Sequence, residues 1–176
     1  MESSQDVLLR DWFRRARESQ RVHYLCATRY HRLHYLLGMP TILFSCVVGT
    51  AVFSSVDKIS STEMKITLGL ISIAAAALSS LQTFLQLEAR AEKHKTAGAR
   101  YGAVRRALEL LATFPPTAEG GLRLELETVK KELDDLSQTS PHVPSDLRSD
   151  VDAELKARGH NRIFNLPKEG GPSDKP

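Results

Sequence analysis

Cysteine is nearly absent. The chain of 176 residues holds two, Cys26 and Cys46, too few for a disulfide framework or a four-thiolate zinc site. Net charge is small as well: 24 lysines and arginines against 21 acidic residues leave +3, so no bulk attraction to nucleic acid follows and no nucleic-acid partner is expected. Also missing are a Gly-rich phosphate loop, a GxSxG nucleophile elbow, an HExxH pair, an Asp-rich metal motif and paired carboxylates on a recognisable scaffold. Neither enzymatic activity nor a cofactor is expected. The most telling absence is of charge itself: residues 35–56 and 66–87, two runs of 22 residues, contain no Asp, Glu, Lys or Arg.

A mean hydropathy of -0.26 over 19.6 kDa, with 41% hydrophobic and 26% charged residues, averages those runs away. As a helix each would reach roughly 33 Å at about 1.5 Å per residue, enough to cross a hydrocarbon core of about 30 Å. A single water-soluble globule is therefore not expected, and the reading fails if either run proves enclosed within one soluble body. Nine residues, 57–65 (DKISSTEMK), separate the runs. So short a link makes the helices antiparallel neighbours, a transmembrane hairpin.

The opening 34 residues are polar and amphipathic and lack the apolar core of a secretory signal, so no cleavage is expected. Basic residues choose the side on which both ends lie. Seven arginines (Arg10, Arg14, Arg15, Arg17, Arg21, Arg29, Arg32) precede the first run, and Arg90, Lys93, Lys95, Arg100, Arg105 and Arg106 follow the second; the link has two lysines, Lys58 and Lys65. Under the positive-inside rule this bias places both termini in the cytoplasm, where the same side chains meet anionic headgroups.

The fold class implied is all-α: a two-transmembrane hairpin whose long helices extend into a cytoplasmic helical bundle. From residue 5 to 34, Leu8, Trp12, Ala16, Val22, Leu25 and Leu33 recur at broadly helical spacing, and no breaker separates them from the first run until Gly38 and Pro40, where a kink is expected. After the second run the pattern continues through 88–114 to Pro115 and Pro116, giving one helix of nearly fifty residues. In 119–139, Leu122, Leu126, Val129, Leu133 and Leu136 form a heptad seam. So short a seam needs cover from the other two cytoplasmic helices or from a neighbouring subunit. Residues 140–176 are punctuated by proline and glycine, with a short helix at 145–158 and a loose tail from 159.

Six histidines (His23, His31, His34, His94, His142, His160) invite a search for a metal site. His31 and His34 share a helix face and His94 approaches the same membrane surface, yet no Cys or acidic motif accompanies them, so interfacial packing with a pH response is the expectation. The spans carry the sharper pattern. In the second, Gly69, Ser72, Ala76, Ser79, Thr83 and Gln86 recur at steps of three and four, apart from most of the leucines; in the first, Ser45, Gly49 and Thr50 include a small-xxx-small pair. Polar atoms in hydrocarbon are costly unless partnered, so this stripe is expected to face protein or water. Two readings stay open: close helix packing, or a water-accessible path in an oligomer, lined by the hydroxyls with Gln82 or Gln86 at the cytoplasmic mouth. The lack of charge in either run argues against a proton relay, voltage sensor or charge-selective ring.

An Arg-rich lead-in ending RVHYLCATRYHRLHYLLGMP, a first span closing VVGTAVFSS and a second followed by LQLEARAEKHKTAGARYGAVRRALE together resemble the SLATT family, two-transmembrane effector domains associated with nucleotide-second-messenger and SLOG systems in bacteria. The resemblance covers roughly residues 10 to 137, and its most specific part is the recurrence of Ala97, Gly98, Ala99, Tyr101, Gly102 and Ala103. It implies a homo-oligomeric pore-forming effector of anti-phage or conflict systems, acting on membrane lipid at the inner membrane and triggered by a separate nucleotide-signalling or sensor protein. The roles it transfers are pore lining or helix packing in the spans, and oligomer or cytoplasmic packing at Ala97, Gly98, Tyr101, Gly102 and the heptad seam. A passive anchor presenting a helical bundle to a partner is the other function these features allow.

Overall fold

The computed structural model describes residues 4–54, 61–117 and 120–157. Residues 57–60 of the expected link at 57–65 and all of the expected tail from 159 lie outside them. Among the described residues there is no strand. The order is α1 (Ser4–Ser54), α2 (Thr62–Leu85), α3 (Leu87–Thr113), α4 (Gly121–Thr139) and α5 (Ser145–Ala157). Each boundary has a local cause. Asp6 in the first turn of α1 and Glu63 in that of α2 suit the positive end of the helix dipole. Phe114 before Pro115 closes α3, Gly120 takes the left-handed backbone (φ 76) ahead of α4, and the N–H of Ser140 caps α4 by donating to Leu136 O.

The helix α1 runs through Pro40 rather than ending there. Proline removes a single ladder bond, and next to it the Thr41 hydroxyl donates to Leu37 O at 2.8 Å. The helix of nearly fifty residues expected to include the second span and continue beyond it is interrupted at one residue. Gln86 adopts φ 46, ψ 43 and separates α2 from α3, although the N–H of Arg90 already bonds Gln86 O at 3.0 Å. The cause is a mismatch of phase. The inward row of α2 is Leu68, Ile71, Ala75, Leu78, Gln82 and Leu85, whereas that of α3 begins at Leu87 and continues through Ala91 and His94. On an unbroken helix, Leu85 and Leu87 would point about 200° apart. One left-handed residue, at a cost of about 1–2 kcal/mol, resets the rotation without a glycine.

The chain forms two units, one from Met1–Leu25 with His94–Pro176, the other from Cys26–Lys93. In the first, the bundle unit, Leu9, Phe13 and Ala16 of α1, Tyr101, Val104 and Leu108 of α3, and Leu126, Val129 and Leu136 of α4 make one core. Leu122 and Leu133 pack on its edge, so the heptad seam is covered within the chain and asks for no neighbouring subunit. Arg100 clamps α3 to α4, its guanidinium donating to Glu132 and Asp135; the hydrogen bond to Asp135, and then that to Glu132, hold it all the more firmly charged. The helix α5 adds buried Val151 and Leu155 and joins α1 through Arg21 and Glu154 at 3.2 Å.

The second unit, the hairpin, is built the other way. Both helices are long and apolar enough to cross a membrane, and almost none of either apolar stretch is buried in the chain. Leu36, Met39, Ile42, Leu43 and Val47 on α1, with Ile66, Leu70, Ile73, Leu81 and Phe84 on α2, stand exposed. An apolar surface of that extent is not left to water.

Candidate functional site: the outer face of the hairpin and the helix seams

Seven-residue periodicity in α2 splits its surface in two. The inward row, Leu68 to Leu85, lies one residue before the small and polar stripe, about 100° away around the helix. Gly69, Ala76, Ser79, Thr83 and Gln86 are therefore exposed, and Ser72 alone of the stripe is half-buried. On α1, Ser45 and Thr50 are exposed and Gly49 is half-buried. Neither Gly49 nor Gly69 is needed for close approach inside the hairpin: a Cβ built on either meets nothing within 4 Å. Gly38 is the glycine the hairpin uses, since a Cβ there would lie 2.9 Å from Gln82 Nε2. Gln82 thus lies on the seam against α1, whereas Gln86 is the left-handed break.

Three of the spans' hydroxyls have a partner without a second helix. Ser72 Oγ donates to Leu68 O, Thr83 Oγ1 to Ser79 O and Thr50 Oγ1 to Cys46 O, at 2.8, 3.1 and 2.8 Å. Each finds its partner one turn back on its own helix, which removes the penalty of standing in hydrocarbon.

In the bundle unit the small residues of α3 face α1. Ala97, Gly98, Tyr101 and Gly102 are buried; a Cβ on Gly98 would meet the Tyr24 ring at 3.4 Å, and one on Gly102 would lie 2.8 Å from Gln20 Nε2. Along the same row stands a feature the sequence reading missed. His34 contacts Glu88 at 3.0 Å, and His31 lies edge-on to Tyr35. His94 meets His23, Nδ1 to Nδ1 at 3.0 Å, with the His23 ring stacked on Tyr101 at 5.5 Å. His23 and His94 are 4% and 2% exposed. One Nδ1 donates and the other accepts, so the contact needs at least one neutral ring. Burial, then the neighbouring His94 and Arg148, push His23 down to about 4; burial also lowers His94. The signal available was spacing, since Leu87, Ala91, His94, Tyr101, Val104 and Leu108 follow a heptad-like row, but its polar and small members hide it. Among the described residues no three metal-binding side chains come together.

An all-helical chain with two unburied apolar helices in a hairpin is a two-transmembrane membrane protein. Residues 6–143 match the family described as the SMODS and SLOG-associating 2TM effector domain family 4, and the chain belongs to that family, a branch of the SLATT effectors. No curated protein and no solved structure matches the chain.

Proposed function

We propose that the chain is an oligomeric pore-forming effector of a bacterial anti-phage or conflict system, permeabilising the inner membrane when activated, with both termini cytoplasmic. The observation that carries this reading is the displacement of the small and hydroxyl-bearing row of α2 from the hairpin's own seam. Gly69, Ala76, Ser79 and Thr83 are spare for contact with another helix or with water, and Gly49 on α1 has open space beside it. Two helices enclose no channel, so a path for ions requires several subunits around an axis. The covered heptad seam removes the bundle unit's leucines from that assembly and leaves the task to the hairpin. The basic residues flanking the spans support the cytoplasmic orientation, and the family's named association supports a separate signalling or sensor protein as trigger.

Reconstitution in dye-loaded liposomes tests the proposal: assembled protein releases dye, and Ser79→Leu with Thr83→Leu lowers release at least about tenfold while subunit number stays constant, as expected where hydroxyl lining keeps a path wet. No leakage from any assembled state ends the pore reading. A second reading, a passive anchor holding the bundle for a partner, is favoured by the hydroxyls bonding their own helix, since such a surface is content in lipid. It expects activity to survive replacement of both spans by unrelated apolar helices.

A further inference from the structure

Between α1, the end of α4 and α5, the bundle unit has a cleft of about 540 Å³, within the size range of small-molecule sites. Its polar lining is rich in hydrogen-bond donors. Arg15 and Ser19 come from one face of α1, His23 from the next turn, Tyr101 from α3, Ser140 from the cap of α4 and Arg148 from α5. Glu18 is the one carboxylate in the lining.

Three observations indicate what this lining is suited to hold. Ser140 Oγ is buried without a hydrogen-bond partner, a state that costs about 1–3 kcal/mol unless something satisfies it. Arg148 has no ion-pair partner among the described residues, yet its charge reaches the His23 ring. Arg15 shares Asp11 with Arg14, at 2.7 and 2.8 Å, so one carboxylate answers two guanidinium groups. His23 spends Nδ1 on His94, which leaves Nε2 for the cleft. Unspent positive charge, a stranded hydroxyl and a ring nitrogen converge on a hollow with a single opposing carboxylate.

We propose that this cleft binds a phosphomonoester anion, with Arg148 and Arg15 supplying the charge and Ser140 and His23 the hydrogen bonds. Guanidinium groups match the planar pair of phosphate oxygens, and charge-assisted bonds are the strong ones in such a setting. Two sources carry the same group: a free phosphorylated solute, or the headgroup of phosphatidic acid.

The full chain in detergent, titrated calorimetrically with inorganic phosphate, tests this. Saturable binding is expected. Arg148→Ala and Ser140→Ala each weaken it at least about tenfold, the scale of a lost charge-assisted bond; Arg148→Ala leaves the thermal midpoint of the free protein unchanged because Arg148 is exposed, and Ser140→Ala does not lower it because the hydroxyl removed is buried without a partner. A parallel arm uses micelles doped with phosphatidic acid or with phosphatidylglycerol, a diester. Binding of phosphatidic acid alone, lost in Arg148→Ala, keeps the proposal and assigns the lipid as source. Binding of neither probe, or affinity for either that Arg148→Ala leaves intact, overturns it.

Discussion

The bundle unit and the hairpin are made from the same chain and share α1 and α3, yet they solve opposite solvent problems. In the bundle, Leu108 and Leu136 are 0% and 1% exposed and sit in a core drawn from three helices. In the hairpin, Ile73 and Phe84 are 68% and 82% exposed, and a few half-buried side chains mark the seam. The first unit gains its stability by removing apolar surface from water. The second has no such gain to make between its helices, because lipid is as apolar as leucine, and relies on close approach and on polar groups satisfied locally. The difference also explains the glycines: in both units a buried glycine faces a glutamine amide, but what that amide can do when displaced differs.

If the comparison is right, truncation has a large effect in one unit and almost none in the other. Leu108→Ala empties a fully buried site in the bundle and should cost about 2–5 kcal/mol. Phe84→Ala removes a ring that touches little of its own chain and should change stability by less than about 0.5 kcal/mol. Trp12, the only tryptophan and a neighbour of the bundle core, reports the unfolding of that unit by fluorescence. Equal losses for the two variants would break the comparison, since they would mean that the hairpin is also a core.

The next effect in size belongs to the buried imidazoles. His23 is held near 4 in the fold against 6.5 for a free ring, facing His94, Tyr101 and Arg148. Its neutral form is the folded one, so below 6.5 the unfolded chain binds the extra proton. Stability is whole above that value and is lost as pH falls toward about 4, by up to about 1.4 kcal/mol per pH unit. The thermal midpoint read from Trp12 should drop across this window, and His23→Gln should flatten the drop. A wild-type midpoint that stays level from neutral pH down to 4.5 would show that the imidazoles titrate alike in both states.

Much of this architecture was legible beforehand. Two uncharged runs, a short link, the prolines after Phe114 and the leucine spacing of α4 each reflect a strong local constraint: lipid thickness, chain reach, a missing N–H, a helical period. The heptad row of α4 could be read, but not what covers it, because burial in another helix of the same chain and in a second subunit leave the same pattern. The break at Gln86 was invisible, since it arises from the phase between two rows and no residue there marks it. The stripe on α2 was visible in full, whereas the hairpin's seam one residue away was not: Leu68, Ile71, Ala75, Leu78 and Leu85 look like lipid-facing residues until α1 is placed against them. The His23 and His94 pair spans 71 positions, and no local pattern links residues so far apart.

The smallest effect is the finest probe of the two environments. A Cβ added at Gly102 would come within 2.8 Å of Gln20 Nε2, and one at Gly38 within 2.9 Å of Gln82 Nε2. In both cases the nearest atom is the amide nitrogen at the end of a flexible side chain, and an alanine in mid-helix should gain about 0.5–1 kcal/mol over glycine if the neighbour yields. Gln20 lies on the polar lead-in, where a displaced amide exchanges its contacts for water, so Gly102→Ala should be neutral or stabilising by up to about 1 kcal/mol. Gln82 lies inside an uncharged run, where a displaced amide loses its place on the seam and meets hydrocarbon, at a cost that exceeds the propensity gain. Gly38→Ala should therefore loosen the hairpin, read as faster hydrogen exchange in 66–87 in reconstituted bilayers, while the bundle's midpoint stays unchanged. If both alanines stabilise alike, Gln82 has water within reach, and that stretch of α2 borders an aqueous path, not lipid.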